Sequence, residues 1–292
     1  MKKIVISESG PEVSAVIYGF WKWNTAVLSN LKMIEDIINY NLELGINAFD
    51  HSNNYFNGKI EELFGKVISK SSIKREDLII SSKGGMRNFS GKSAKGNYYA
   101  LSPQHITHSV EESLKRLKTN YIDIFLLEYY DPLNRPEETA YALNELIKSG
   151  KIRNIGVSNF SVAQHRSLAF HLKQPIITNH LEFNLLENSA IEDGRLDFIK
   201  EQYSKPMAYA PLADGRILSG KDSKAVRVRK VLTEIANNHG VNVEQIAVAW
   251  LYKYGALPIV GSTDKKRIKN AANAYDIKLT SDEWYKLYYS TK

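Results

Sequence analysis

The chain has 292 residues, of which 43% are hydrophobic and 24% charged, an ordinary balance for a folded soluble protein and enough to bury a sizeable core. It contains no cysteine, which excludes disulfides, thiolate metal sites and a cysteine nucleophile. The net charge of +7 is diluted by 32 acidic residues, so most lysines read as solvated surface, and no apolar window approaches the roughly 20 residues of a membrane span.

At the start, the apolar run in MKKIVISESGPE is a few residues long and is broken by Ser7 and Glu8, which argues for a short hairpin rather than a signal peptide. Strand-like runs then alternate with amphipathic stretches: SAVIYGF, INAFD, LIISSK, IDIFLL, IRNIGVS, IITNHL, PMAYAPL and LPIVG. Helices are expected at Leu31 to Leu44, Pro103 to Lys118, Pro136 to Ser149, Val162 to His171 and Val243 to Tyr254. Ser102 before Pro103 reads as a helix cap, and Gly150 as a helix stop. Eight β units separated by helices predict an α/β fold, a (β/α)8 TIM barrel forming a single domain over residues 1–292, with its site at the carboxyl ends of the strands. The irregular segment Gly84 to Leu101 follows the third strand and is expected to shape a substrate pocket or to form a surface excursion.

Three side chains stand near successive strand ends. Asp50 closes INAFD, Tyr55 follows it just before a helix start, and Lys83 closes LIISSK. A phenol with an ordinary pKa of about 10 is a sluggish acid at neutral pH, and a nearby ammonium makes its phenolate more accessible. Lys83 is expected to supply that field, with Asp50 holding the lysine charged. Taken singly, each has a plainer role as cap, packing residue or solvated charge.

The segments FD…Y…E…FG, SSKGG, GVSNF (Gly156 to Phe160), NHLEFN, AYAPL and PIVGS, in this order, resemble the aldo-keto reductases over essentially the whole chain. Within that superfamily the chain looks most similar to the bacterial oxidoreductases. The resemblance implies a cytoplasmic NADPH/NADP+-dependent reductase of small carbonyl compounds, with Tyr55 as general acid tuned by Lys83 and Asp50. It implies that Ser158, Asn159 and His180 contact the nicotinamide carboxamide, that Tyr209 stacks on the nicotinamide ring with Leu212 nearby, and that Ser262 and Arg267 grip the 2′-phosphate. A small-molecule substrate is expected, with neither nucleic acid nor membrane as partner. The oligomeric state is not legible.

The pattern breaks at Glu128, which stands where most of the family has a histidine that donates to the substrate oxygen. An ionised carboxylate there opposes a developing oxyanion, whereas a buried neutral one donates to it. Similar exchanges occur in steroid double-bond reductases of the superfamily. Glu128 therefore leaves three readings: carbonyl reduction, enone reduction, or an NADPH-binding regulatory or sensing protein with weak catalysis. Smaller departures are His180 for a glutamine, Gly261 for a lysine, and Asn270 with Ala271 for a Glu-Asn pair. Metal ligation is not expected, since the histidines lack ligand spacing.

Overall fold

The structure, a computed structural model, describes residues 1–88 and 97–292. Eight strands close into a parallel barrel in the order β3 (Ile17–Gly19), β4 (Ala48–Asp50), β5 (Ile79–Gly84), β8 (Ile124–Leu127), β9 (Ile155–Ser158), β10 (Ile176–Glu182), β11 (Met207–Tyr209) and β12 (Leu257–Val260). An antiparallel pair, β1 (Lys3–Val5) and β2 (Glu12–Ser14), precedes the barrel. Its Ile6 and Val13 pack with Ile17, Leu126, Met207 and Leu257 inside the ring, so the hairpin plugs the amino-terminal mouth. No helix among the described residues is long and apolar enough to cross a membrane.

Successive side chains of a strand point to opposite faces, and that period of two decides what the interior holds. In β8, Ile124 and Leu126 fill the interior while Phe125 and Leu127 pack against the helices, which sends Glu128 inward at the carboxyl end. In β5, Ile79 and Ile80 divide in the same way, so Ser81 and Lys83 face the interior and Ser82 faces outward. Outside, Ser82 Oγ donates to Glu61 Oε1 at 2.6 Å and Arg116 Nε donates to Glu61 Oε2 at 2.8 Å, pinning β5 to two helices. Those helices, Lys59–Ile68 and Pro103–Leu117, approach so closely at Gly65 that an added Cβ would stand 2.2 Å from the Arg116 carbonyl oxygen.

The five expected helices are present as Leu31–Glu43, Pro103–Leu117, Pro136–Lys148, Val162–Ala169 and Val243–Tyr254. Ser102 Oγ accepts from the His105 amide, with Pro103 in the first turn, and Gly150 takes a left-handed φ of 73° just past a helix end. The segment expected to be irregular is partly regular: β6 (Met86–Asn88) pairs antiparallel with β7 (Asn97–Tyr99), and residues 89–96 of it lie outside the described residues.

Candidate active site

Asp50 ends β4, Lys83 is the penultimate residue of β5, and Ser158 and Tyr209 end β9 and β11, so the barrel delivers all four to one rim. Tyr55 sits on the turn after β4. It is aimed by a left-handed run of Phe56, Asn57 and Gly58, with φ of 48°, 53° and 80°, before the helix begins at Lys59. A left-handed conformation costs a non-glycine residue of order 1 kcal/mol or more, so surrounding contacts hold this turn in place. His180 is out of phase with the inward-facing Ile177; it reaches the interior because the pairing of β10 with β9 shifts register between Ile176 and Asn179.

Lys83 Nζ donates to Asp50 Oδ2 at 2.6 Å, to the His51 carbonyl at 2.8 Å and to the Tyr55 phenol oxygen at 3.2 Å. Ser81 Oγ donates to the other Asp50 oxygen at 2.8 Å. Asp50 and Lys83 are each only 2% exposed, so neither charge is compensated by water. Burial opposes ionisation of Asp50, yet the Lys83 charge, His180 and the Lys83 hydrogen bond together overcome it and hold the carboxyl well below its usual range. Burial likewise works against the Lys83 ammonium, but Asp50 raises its pKa above the ordinary lysine value. The expected activation of the phenol is not the net result. Burial pushes Tyr55 up to about 12, and the Lys83 charge offsets only part of that rise. Tyr55 therefore keeps its proton at neutral pH.

Beside this group Asn54 Nδ2 donates to Glu128 Oε2 at 2.7 Å. Burial raises the Glu128 carboxyl above its ordinary value, against the Lys83 charge and the Asn54 bond, which both favour the ionised form. A Ser52 side-chain bond also favours the ionised form.

A cleft of about 620 Å³ runs from this group across the rim, and every sequence-predicted site residue lines it: Asp50, Tyr55, Lys83, Glu128, Ser158, Asn159, His180, Tyr209, Leu212, Ser262 and Arg267. Ser158 Oγ lies 3.1 Å from His180 Nδ1 and accepts from Asn159 Nδ2 at 3.1 Å. Tyr209 donates to Asn159 Oδ1 at 3.0 Å. The His180 ring stacks on Tyr209 with centroids 4.9 Å apart, so one face of the phenol ring carries an imidazole. Burial lowers His180 below its ordinary value, although its Nε2 stands 3.6 Å from Asp50 Oδ2, beyond a normal hydrogen bond but within electrostatic reach. Across the cleft Lys22 Nζ meets Asp214 Oδ1 at 2.8 Å.

The aldo/keto reductase family profile matches residues 15–288. The chain belongs to the aldo/keto reductase family. This aldo-keto reductase is 35% identical to the uncharacterized oxidoreductase YcsN of Bacillus subtilis (strain 168), over 99% of this chain and 97% of that protein. It is 30% identical to a 6-dehydroglucose reductase of Agrobacterium fabrum, over 99% and 97%. A crystal structure of the thermostable aldo-keto reductase Tm1743 with the inhibitor epalrestat superposes with a TM-score of 0.85 at 27% identity, over 99% of this chain and 100% of that one. The protein is an NAD(P)H-dependent oxidoreductase, and the family acts on small carbonyl compounds.

The reductase's cleft suits a nicotinamide nucleotide by its own chemistry: amide and hydroxyl groups of Ser158 and Asn159 cluster with the His180 ring, and Arg267 stands with Ser262 farther along. Several residues in or beside the cleft leave no mark in the sequence. Asn54 contacts Glu128 across 74 positions, so its neighbours in sequence carry no sign of that bond. Glu244 lies in the first turn of a helix that reads as ordinary and amphipathic, yet it binds Arg267. Trp21, with its ring 5.4 Å from that of Tyr55, and Tyr129, stacked on Tyr99, flank the catalytic end.

Proposed function

We propose that the protein, acting as one domain, is an NADPH-dependent reductase of a small aldehyde, ketone or α,β-unsaturated carbonyl compound, with Tyr55 as the proton donor. The observation that carries this reading is the Lys83 ammonium, held between Asp50 at 2.6 Å and Tyr55 at 3.2 Å on the wall of the cleft. Ser158, Asn159 and His180 would hold the carboxamide end of the nucleotide, and Ser262 and Arg267 its adenosine phosphate. The bound nucleotide supplies the hydride.

The residues of the chain do the rest. Tyr55 keeps its proton until negative charge develops on the substrate oxygen and then releases it, with Lys83 stabilising the phenolate left behind. Asp50 keeps Lys83 charged and fixed. Glu128, in its neutral form, would donate to the same oxygen. Trp21 and Tyr129 line the cleft at the Tyr55 end. The relative named 6-dehydroglucose reductase supports a carbonyl substrate.

The test is a turnover screen with NADPH and NADH across aldehydes, ketones and enones, following loss of the reduced nucleotide. Consumption with members of the panel is expected. Tight nucleotide binding without turnover across the whole panel would instead support a binding or sensing role, with Glu128 as its cause.

A further inference from the structure

Among the described residues, each Lys or Arg lining the cleft is already matched by a carboxylate: Lys83 by Asp50, Lys22 by Asp214 and Arg267 by Glu244. The first two pairs belong to the catalytic group and to a bridge across the rim. The third lies where a nucleotide's 2′-phosphate would need unspent positive charge.

Glu244 stands in the first turn of helix Val243–Tyr254 and lines the cleft with Ser262, Thr263 and Arg267. Its Oε2 accepts from Arg267 Nε at 3.1 Å, and its Oε1 accepts from Asn270 Nδ2 at 3.2 Å. With both oxygens engaged and its side chain 18% exposed against 43% for Arg267, it is the better-anchored partner of the pair. Two consequences follow from charge alone. The Glu244–Arg267 pair is neutral as a unit, which weakens the field available to an anion. A phosphomonoester carries nearly two negative charges at neutral pH, so a carboxylate nearby opposes it about twice as strongly as it opposes a single charge. A ribose hydroxyl, in contrast, is a donor that a carboxylate accepts, as acidic residues do for unphosphorylated dinucleotides in other folds. Gly261, beside Ser262, carries no side chain that offsets Glu244.

We propose that Glu244 sets the nucleotide preference of this cleft: it restrains the grip on the 2′-phosphate, so that the protein accepts NADH alongside NADPH. The proposal rests on reading the cleft as a nicotinamide nucleotide site.

The experiment measures the affinities of NADP+, NAD+, adenosine 2′,5′-bisphosphate and AMP for the full chain and for Glu244→Gln, at low and high salt. The variant is expected to tighten the phosphate-bearing member of each pair by about three- to tenfold relative to its partner at low salt, with the gain shrinking as salt screens the charge. Glu244→Ala is expected to move the ratio in the same direction. An unchanged or reduced ratio in Glu244→Gln would overturn the proposal while leaving the nucleotide site standing. Failure of the unmodified chain to bind any of the four compounds would overturn both.

Discussion

Lys83 and Tyr55, 28 positions apart in sequence, meet through a hydrogen bond of 3.2 Å from ammonium to phenol oxygen. The ammonium does not make the phenol a strong acid, because burial raises Tyr55 to about 12 despite it. In the proposed reaction it would stabilise the phenolate once the proton has left, which suits a donor that must keep its proton until the substrate oxygen becomes basic.

Replacing the phenol hydroxyl would therefore remove the proposed donor and leave the cleft in place. Tyr55→Phe is expected to lower kcat by about 10²- to 10⁴-fold, the usual contribution of a positioned acid. Nucleotide affinity, followed by fluorescence titration, should change little. Turnover close to that of the unmodified protein would remove Tyr55 from the mechanism.

The Asp50–Lys83 pair is buried, with each side chain 2% exposed, so losing one partner strands the other charge in a poorly solvated interior. Asp50→Asn is expected to destabilise the fold by about 3–5 kcal/mol, read from urea unfolding. The double variant Asp50→Asn with Lys83→Met should recover part of that loss. A double variant less stable than Asp50→Asn alone would contradict the argument.

Glu128 carries a pH dependence of definite sign. Burial raises its pKa, so the neutral, donating form persists to higher pH than for an ordinary glutamate. The kcat/KM value is expected to fall as pH rises through that displaced pKa, because the carboxylate then faces the developing oxyanion. Glu128→Gln should flatten this limb, and Glu128→His should shift activity toward simple carbonyls over enones. A pH profile identical in Glu128→Gln would show that another group sets the limb.

His51 lies between Phe20 and Phe64, with ring centroids 4.2 and 4.5 Å away, and burial lowers its pKa from 6.5 to about 3. Between those two values the unfolded chain takes up a proton that the folded chain refuses, so stability falls as pH drops through this window. One such histidine contributes a slope of up to about 1.4 kcal/mol per pH unit. His51→Phe, which keeps a ring between the two phenylalanines, should give a shallower acid limb in denaturant unfolding measured across pH. An unchanged slope would mean that His51 is not the group responsible.

Much of this architecture was legible along the chain because it rests on local periodicity. In IDIFLL an apolar strand stops at Glu128, and in INAFD one stops at Asp50, so both residues could be placed at strand ends without coordinates. The helix start at Pro103 and the stop at Gly150 were readable for the same reason, since capping depends on a few adjacent residues. His180 resisted such reading. Its inward position depends on a register shift between two strands, which strict alternation from Ile177 would not predict.

Strand and helix periods, cap residues and the sign of each charge are properties of neighbours in the chain, and the sequence by itself determined the barrel, its rim and the candidate acid, amine and carboxylates. Only the tertiary structure decided what those groups have become. Burial is a sum over residues far apart in sequence; it raised the Tyr55 and Glu128 pKa values and silenced His51. Pairing across the closed ring, likewise invisible from either partner alone, joined Asn54 to Glu128 and Glu244 to Arg267.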